Sequence, residues 1–162
     1  MMPSLESRIG EILMGRRLTL VTAESCTGGL IAHRLTNVSG SSAYFLGGIV
    51  SYSNEAKEQL LGVGHSTLET HGAVSEATAI EMARGARRAF SADIAVSVTG
   101  IAGPGGGTPE KPVGLVWIGL SAREGERTQQ FIWDQDREGN KAESAEAALR
   151  MVWDYLTTRA DT

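Results

Sequence analysis

The chain has 162 residues, 41% of them apolar and 21% charged, with a formal net charge of −4. That length suits one ordinary domain with a hydrophobic core, and the composition is that of a globular chain. The negative balance argues against a main partner in the nucleic-acid backbone, and the single cysteine, Cys26, leaves no intrachain disulfide and suits a reducing cytoplasm.

In chain order, Leu5, Ile9, Ile12 and Leu13 recur at helical spacing and predict a helix over 4–16. A short strand is predicted over 18–22. Residues 23–29 then turn into a helix that ends near 36, with Leu30, Ile31 and Leu35 inward. A polar loop over 37–42 leads to a second strand over 44–52, rich in apolar and aromatic residues. Asn54 reads as the N-cap of a short helix through 61, and 62–72 reads as irregular. Ser75 caps a helix to 90, with Ala79, Met82, Ala83, Ala86 and Phe90 on or near one face. A third strand follows over 93–98, then a glycine- and proline-rich loop over 100–109. Residues 113–121 and 127–133 form a hairpin around a tight turn at 123–126. The last helix is predicted over 139–156, where Ala145, Ala148, Leu149, Val152, Trp153 and Leu156 share one face. Alternating helices and strands followed by a hairpin predict a single α/β domain over 1–162. Its fold class is a three-layer α/β/α sandwich with a mixed, mostly parallel sheet of about five strands.

No N-terminal apolar run is long enough for a signal peptide or a membrane span, so a cytoplasmic protein without a membrane partner is expected. The one dense basic cluster, Arg84, Arg87 and Arg88, ends a predicted helix, where it complements the helix dipole and needs no nucleic acid. No His, Cys, Asp and Glu set has metal-ligand spacing, so no metal or other cofactor is expected.

Ser25 sits where a strand gives way to a glycine-bearing helix. Such a turn exposes a hydroxyl and can aim free helix N–H groups at a developing oxyanion or a phosphate; it is equally the place for an N-cap. Cys26 is a rival nucleophile, but His33, His65 and His71 stand in no recognisable pairing with it. A serine needs a base. With Asn54 as N-cap, Lys57 falls at the third helical position, where a capping box would hold Glu or Gln and the dipole disfavours a cation. Partial burial there would lower the lysine toward neutrality, as a general base requires. A solvated surface lysine is the plain alternative. The loop from Thr99 to Thr108 offers many free N–H groups for an anion, without the pattern of a P-loop or a dinucleotide fingerprint. Arg137 offers a planar guanidinium beside the last helix.

Five stretches together resemble the CinA C-terminal domain family, the nicotinamide mononucleotide amidohydrolases. They are 22–29 (Thr-Ala-Glu-Ser-Cys-Thr-Gly-Gly), 47–54 with Lys57, 72–75, 99–106 with 111–114, and 136–138 with 144–146. The resemblance covers essentially the whole chain and implies the same three-layer sandwich. It places the family's serine nucleophile on Ser25, its lysine base on Lys57 and a site tyrosine on Tyr52. It implies substrate contacts from Glu24, Thr27, Gly28 and Gly29, from Thr99, Gly100, Gly103, Gly105 and Gly106 of the glycine-rich loop, and from Arg137. The implied substrate is a small nucleotide, nicotinamide mononucleotide, cleaved through an acyl-enzyme in pyridine nucleotide salvage without metal or cofactor. Two positions depart from the family's pattern: Gln135 stands where glycine is usual, and Lys141 where arginine is frequent. The alternative reading is a non-catalytic competence- or damage-inducible module that binds a nucleotide or a protein. A homo-oligomer, most simply a dimer, is expected. Trp117, Phe131 and Trp133 on the hairpin suggest either an aromatic sheet edge in need of a cover or core residues under the first and last helices.

Overall fold

In the computed structural model, which describes residues 2–158, a five-stranded sheet divides the chain into two helical layers. The strands are β1 (Leu20–Glu24), β2 (Phe45–Val50), β3 (Ile94–Gly100), β4 (Leu115–Ala122) and β5 (Gly125–Ile132), in spatial order β2-β1-β3-β4-β5. β1 pairs in parallel with β2 and β3, while β4 is antiparallel to both β3 and β5. Four strands therefore share one direction and β4 runs against them, so the sheet is mixed, as expected. β1 is buried along its whole length and β3 all but its last residue, because helices cover both faces of the centre.

The helices are α1 (Leu5–Arg16), α2 (Leu30–Thr36), α3 (Asn54–Leu61), α4 (His65–His71), α5 (Glu76–Phe90) and α6 (Arg137–Thr158). On one face Leu20, Val96, Ile118 and Leu120 pack with Ile9 and Leu13 of α1, Ile31 of α2, and Ala148 and Leu149 of α6. On the other, Val21 and Ala95 pack with Met82, Ala83 and Ala86 of α5 and with Leu61 at the end of α3. Gly85 is what lets α5 touch α3: a Cβ there would lie 1.8 Å from the Leu61 carbonyl oxygen.

Four local expectations are corrected. Ser53, not Asn54, caps α3; its hydroxyl accepts from the Ala56 N–H at 3.0 Å. Lys57 thus occupies the fourth helical position, and the capping-box argument does not apply to it. The segment read as irregular contains α4, whose single buried apolar residue, Leu68, gives no periodicity to read. α6 starts at Arg137 because the Asp136 carboxylate accepts from the Gly139 N–H at 2.8 Å; Gly139 itself masked that start. β1 lies two residues later than predicted, so Glu24 is its last residue and a turn separates it from α2.

Phe131 and Trp133 stack on each other at 4.7 Å and lie against the core, and the Trp133 indole donates to Ser144 Oγ of α6 at 3.0 Å. Phe131 and Trp133 are therefore half-buried against the core under α6.

Candidate active site

β1, β2 and β3 are parallel, so their carboxyl ends open on one rim of the sheet. The chain leaves β1 toward β2 on one side and returns to β3 on the other, which makes a crevice where the connections diverge. Ser25 follows β1 directly. Its N–H donates to the Val98 carbonyl at 2.9 Å, extending the β1–β3 pairing by one residue and fixing the hydroxyl at the crevice.

Lys57 reaches the same point from α3. It is 1% exposed, and its Nζ lies 3.0 Å from Ser25 Oγ, 2.9 Å from the Ser51 carbonyl oxygen and 3.5 Å from that of Tyr52. It forms no ion pair among the described residues. Burial without a carboxylate pushes its pKa below the ordinary lysine value. In the neutral amine, two N–H bonds can point at the two carbonyls. The lone pair is then left facing the Ser25 hydroxyl, which is the geometry of a nucleophile and its base.

Cys26 is buried beside them, and burial first, then the Glu24 charge, holds its thiol up at about 12. It stays protonated at neutral pH and lacks the thiolate that a rival nucleophile needs.

The turn after Ser25 differs from expectation. The buried Glu24 carboxylate accepts from the Thr27 hydroxyl at 2.6 Å and from the N–H groups of Ile31 and Ala32 at 2.9 and 3.0 Å. The first turn of α2 is thus capped from inside, and its N–H groups are not free for an anion. Glu24 and Thr27 shape the turn from below, and Gly28 and Gly29 supply its positive φ angles of 62° and 106°. The peptide N–H groups of Cys26 and Thr27, next to Ser25, have no main-chain acceptor among the described residues.

The cleft holds about 180 Å³. Ser25, Lys57, Tyr52, Asn54 and Arg137 supply its polar lining; Ala73, Val74 and Ala102 supply apolar wall. Thr99 and Gly100 also line it, with the Thr99 hydroxyl donating to the Ala73 carbonyl at 2.7 Å. Arg137 bridges two sides: Nη1 donates to the Gly103 carbonyl at 2.7 Å and Nη2 to the Tyr52 hydroxyl at 2.9 Å. Gly105 and Gly106 are exposed and do not line the cleft. Lys141, one turn after Arg137, has its ammonium 3.8 Å from where Gly28 would carry a Cβ.

Two residues were given no role at the site by the sequence reading. Asn54 lines the cleft in place of capping α3. Asn140, buried in α6, donates to the Ala102 carbonyl at 2.9 Å and accepts from the Gln135 N–H at 3.0 Å, so it ties the glycine-rich loop to the helix. Its signal was a polar, poor helix former on the face of α6 that packs inward.

The model of the CinA C-terminal domain matches residues 2–156. The chain belongs to the CinA C-terminal domain family. A CinA-like protein of Chloroherpeton thalassium is 58% identical over 94% of this chain and 37% of its own length. A putative competence-damage inducible protein of Moorella thermoacetica is 51% identical over 98% and 38%. The chain thus spans under two-fifths of these longer CinA relatives. The nicotinamide-nucleotide amidohydrolase PncC of Escherichia coli is 48% identical over 92% of this chain and 91% of that protein. Among solved structures, a CinA superfamily protein of Klebsiella pneumoniae superposes with a TM-score of 0.91 at 37% identity, covering 95% of this chain and 96% of that one. The competence/damage inducible protein CihA of Agrobacterium tumefaciens gives 0.85 at 43%, covering 97% and 98%.

Proposed function

We propose that this CinA-family chain is an amidohydrolase that converts nicotinamide mononucleotide to nicotinate mononucleotide and ammonia. The observation that carries the reading is Lys57, buried without a counter-ion and 3.0 Å from Ser25 Oγ. An unpaired buried lysine is costly to a fold, and a non-catalytic binding module has no use for it at that place.

Ser25 Oγ attacks the carboxamide carbon and its proton passes to Lys57 Nζ. The carbonyl oxygen takes the negative charge, and the N–H groups of Cys26 and Thr27 are the donors best placed to meet it. The intermediate collapses, the C–N bond breaks, and Lys57 returns the proton to the departing ammonia. Water then attacks the ester carbon, Lys57 takes its proton, and the acid leaves as Ser25 regains its own. Arg137 puts positive charge on the cleft wall, with the Lys141 ammonium beside Gly28, which suits the phosphate of the substrate. Arg137 also holds Tyr52 and Gly103 in place, so it shapes the wall as well as charging it.

The test is ammonia release from nicotinamide mononucleotide by the purified chain, with Ser25→Ala as control. Release lost in the variant supports the reading. No release from the native chain, while the nucleotide still binds, supports the binding module.

A further inference from the structure

The end of α5 and the β4–β5 turn enclose a hollow of about 610 Å³, against about 180 Å³ for the catalytic cleft. Arg84, Arg87 and Arg88 of α5, Ser91 just after that helix, and Arg123 and Glu126 of the hairpin line it. Four guanidinium groups and one carboxylate thus surround one space, on a chain whose net charge is −4. The carboxylate is already engaged: Arg84 Nε and Nη2 each donate to Glu126 at 2.6 Å. Ser121 joins that pair to Arg87, accepting from Arg87 Nε at 3.1 Å and donating to Glu126 Oε2 at 3.3 Å. Arg84 and Arg87 are therefore held in place before any ligand arrives. Arg87, Arg88 and Arg123 form no ion pair among the described residues. The dipole of α5 accounts for Arg87 and Arg88, which lie in its last turn. It does not account for Arg123, which the hairpin turn brings to the same space from another element. Like charges gathered round one hollow repel each other, so the fold gains nothing from the arrangement.

We infer that this hollow binds an anion carrying two or more linked phosphates. Three guanidinium groups without an acid call for about three negative charges, which a diphosphate or triphosphate chain supplies and a single orthophosphate does not. Each guanidinium presents a planar fork that meets two phosphate oxygens at once. The phosphate chain can be free or the tail of a nucleotide; in both it is the part the arginines recognise. The hollow lies where β3 begins, at the opposite end of the sheet from Ser25 and Lys57, and its ligand is independent of the reaction proposed for them.

Tripolyphosphate titrated into the isotope-labelled native chain should shift the amide resonances of Ser91, Arg123 and Glu126 to saturation, at lower concentration than orthophosphate does. Arg123→Gln, on an exposed turn, and Arg87→Gln should each weaken binding roughly 10-fold. Glu126→Gln releases Arg84 and removes the one negative charge, so it should tighten binding roughly 10-fold, a gain that no loss of structure produces. Arg150→Gln, an equal loss of charge on α6, should leave the affinity unchanged. Adenosine triphosphate binding as tightly as tripolyphosphate supports a site for the phosphate chain alone; tighter binding by the nucleotide supports a site that also takes its base. The inference is overturned if these amides do not shift, if only amides around Ser25 shift, or if orthophosphate binds as well. Unchanged affinity in Arg123→Gln and Arg87→Gln also overturns it, as does a DNA duplex that binds more tightly at the same amides.

Discussion

The two ends of the sheet invite comparison. At the carboxyl ends of β1 to β3, the cleft holds about 180 Å³. At the opposite end a larger hollow of about 280 Å³ opens between Arg16, Asp93, Arg123 and Tyr155. Asp93 there accepts from the Thr19 N–H at 2.8 Å and from its hydroxyl at 3.0 Å, and Arg16 donates to the Leu156 carbonyl at 2.9 Å. These polar groups tie chain ends together. At the smaller cleft, Lys57 is buried without an acid and aimed at a hydroxyl. Volume does not distinguish the two ends; an ionisable group held against its own solvation does.

Changes at four residues would break or sharpen that contrast. Ser25→Ala should cost the most, lowering kcat/KM by ~10⁴-fold or more in an ammonia-release assay while the fold stays intact. Near-native turnover with Cys26 still present would remove the serine from the scheme. Lys57→Ala and Lys57→Arg should each cost ~10²- to 10⁴-fold, since arginine cannot give up its proton. In the native chain, kcat/KM should rise with pH through a single pKa below the ordinary lysine value, because only the neutral amine accepts the serine proton.

The same group sets a stability effect. Its folded pKa is lowered, so between that value and the unfolded value the unfolded chain binds the extra proton and stability rises with pH. Lys57→Met removes the cost of burying the amine at the expense of two carbonyl partners. The melting temperature at neutral pH should be held or raised while activity is lost, and a large drop would mean that Lys57 serves the fold.

Arg137→Ala should raise KM for the nucleotide by roughly 10- to 100-fold, the scale of a charge-assisted bond, and affect the riboside less. Equal losses for both would remove the phosphate role. Smallest on activity is Asp93→Ala at the other end of the sheet. It should lower stability by about 1–3 kcal/mol through two lost hydrogen bonds and leave kcat/KM unchanged.

Most of the fold could be read from the pattern, because α5 and α6 carry apolar faces and β1 and β3 are short, mostly apolar runs. α4 could not, since a helix held by one leucine and by its neighbours has no pattern of its own. At the site, Ser25 and Lys57 could be singled out as residue types at suggestive places, and the resemblance joined them. The capping of α2 by Glu24 was hidden, as was the clamping of the glycine-rich loop by Arg137 and Asn140. Both depend on contacts between segments whose placement only the folded sheet supplies. Lys57 itself was singled out by an argument about the third helical position that the Ser53 cap removes; what marks it in the structure is burial.

The claim that Ser25 and Lys57 act as one unit is tested most directly by a double-mutant cycle on nicotinamide mononucleotide hydrolysis, comparing Ser25→Ala, Lys57→Ala and both together. A base whose only role is to serve this nucleophile has nothing left to lose once the hydroxyl is gone, so the double variant should be no slower than Ser25→Ala alone. Losses that multiply, with the double variant slower than either single by the product of the two effects, would mean the residues act independently and would contradict the dyad.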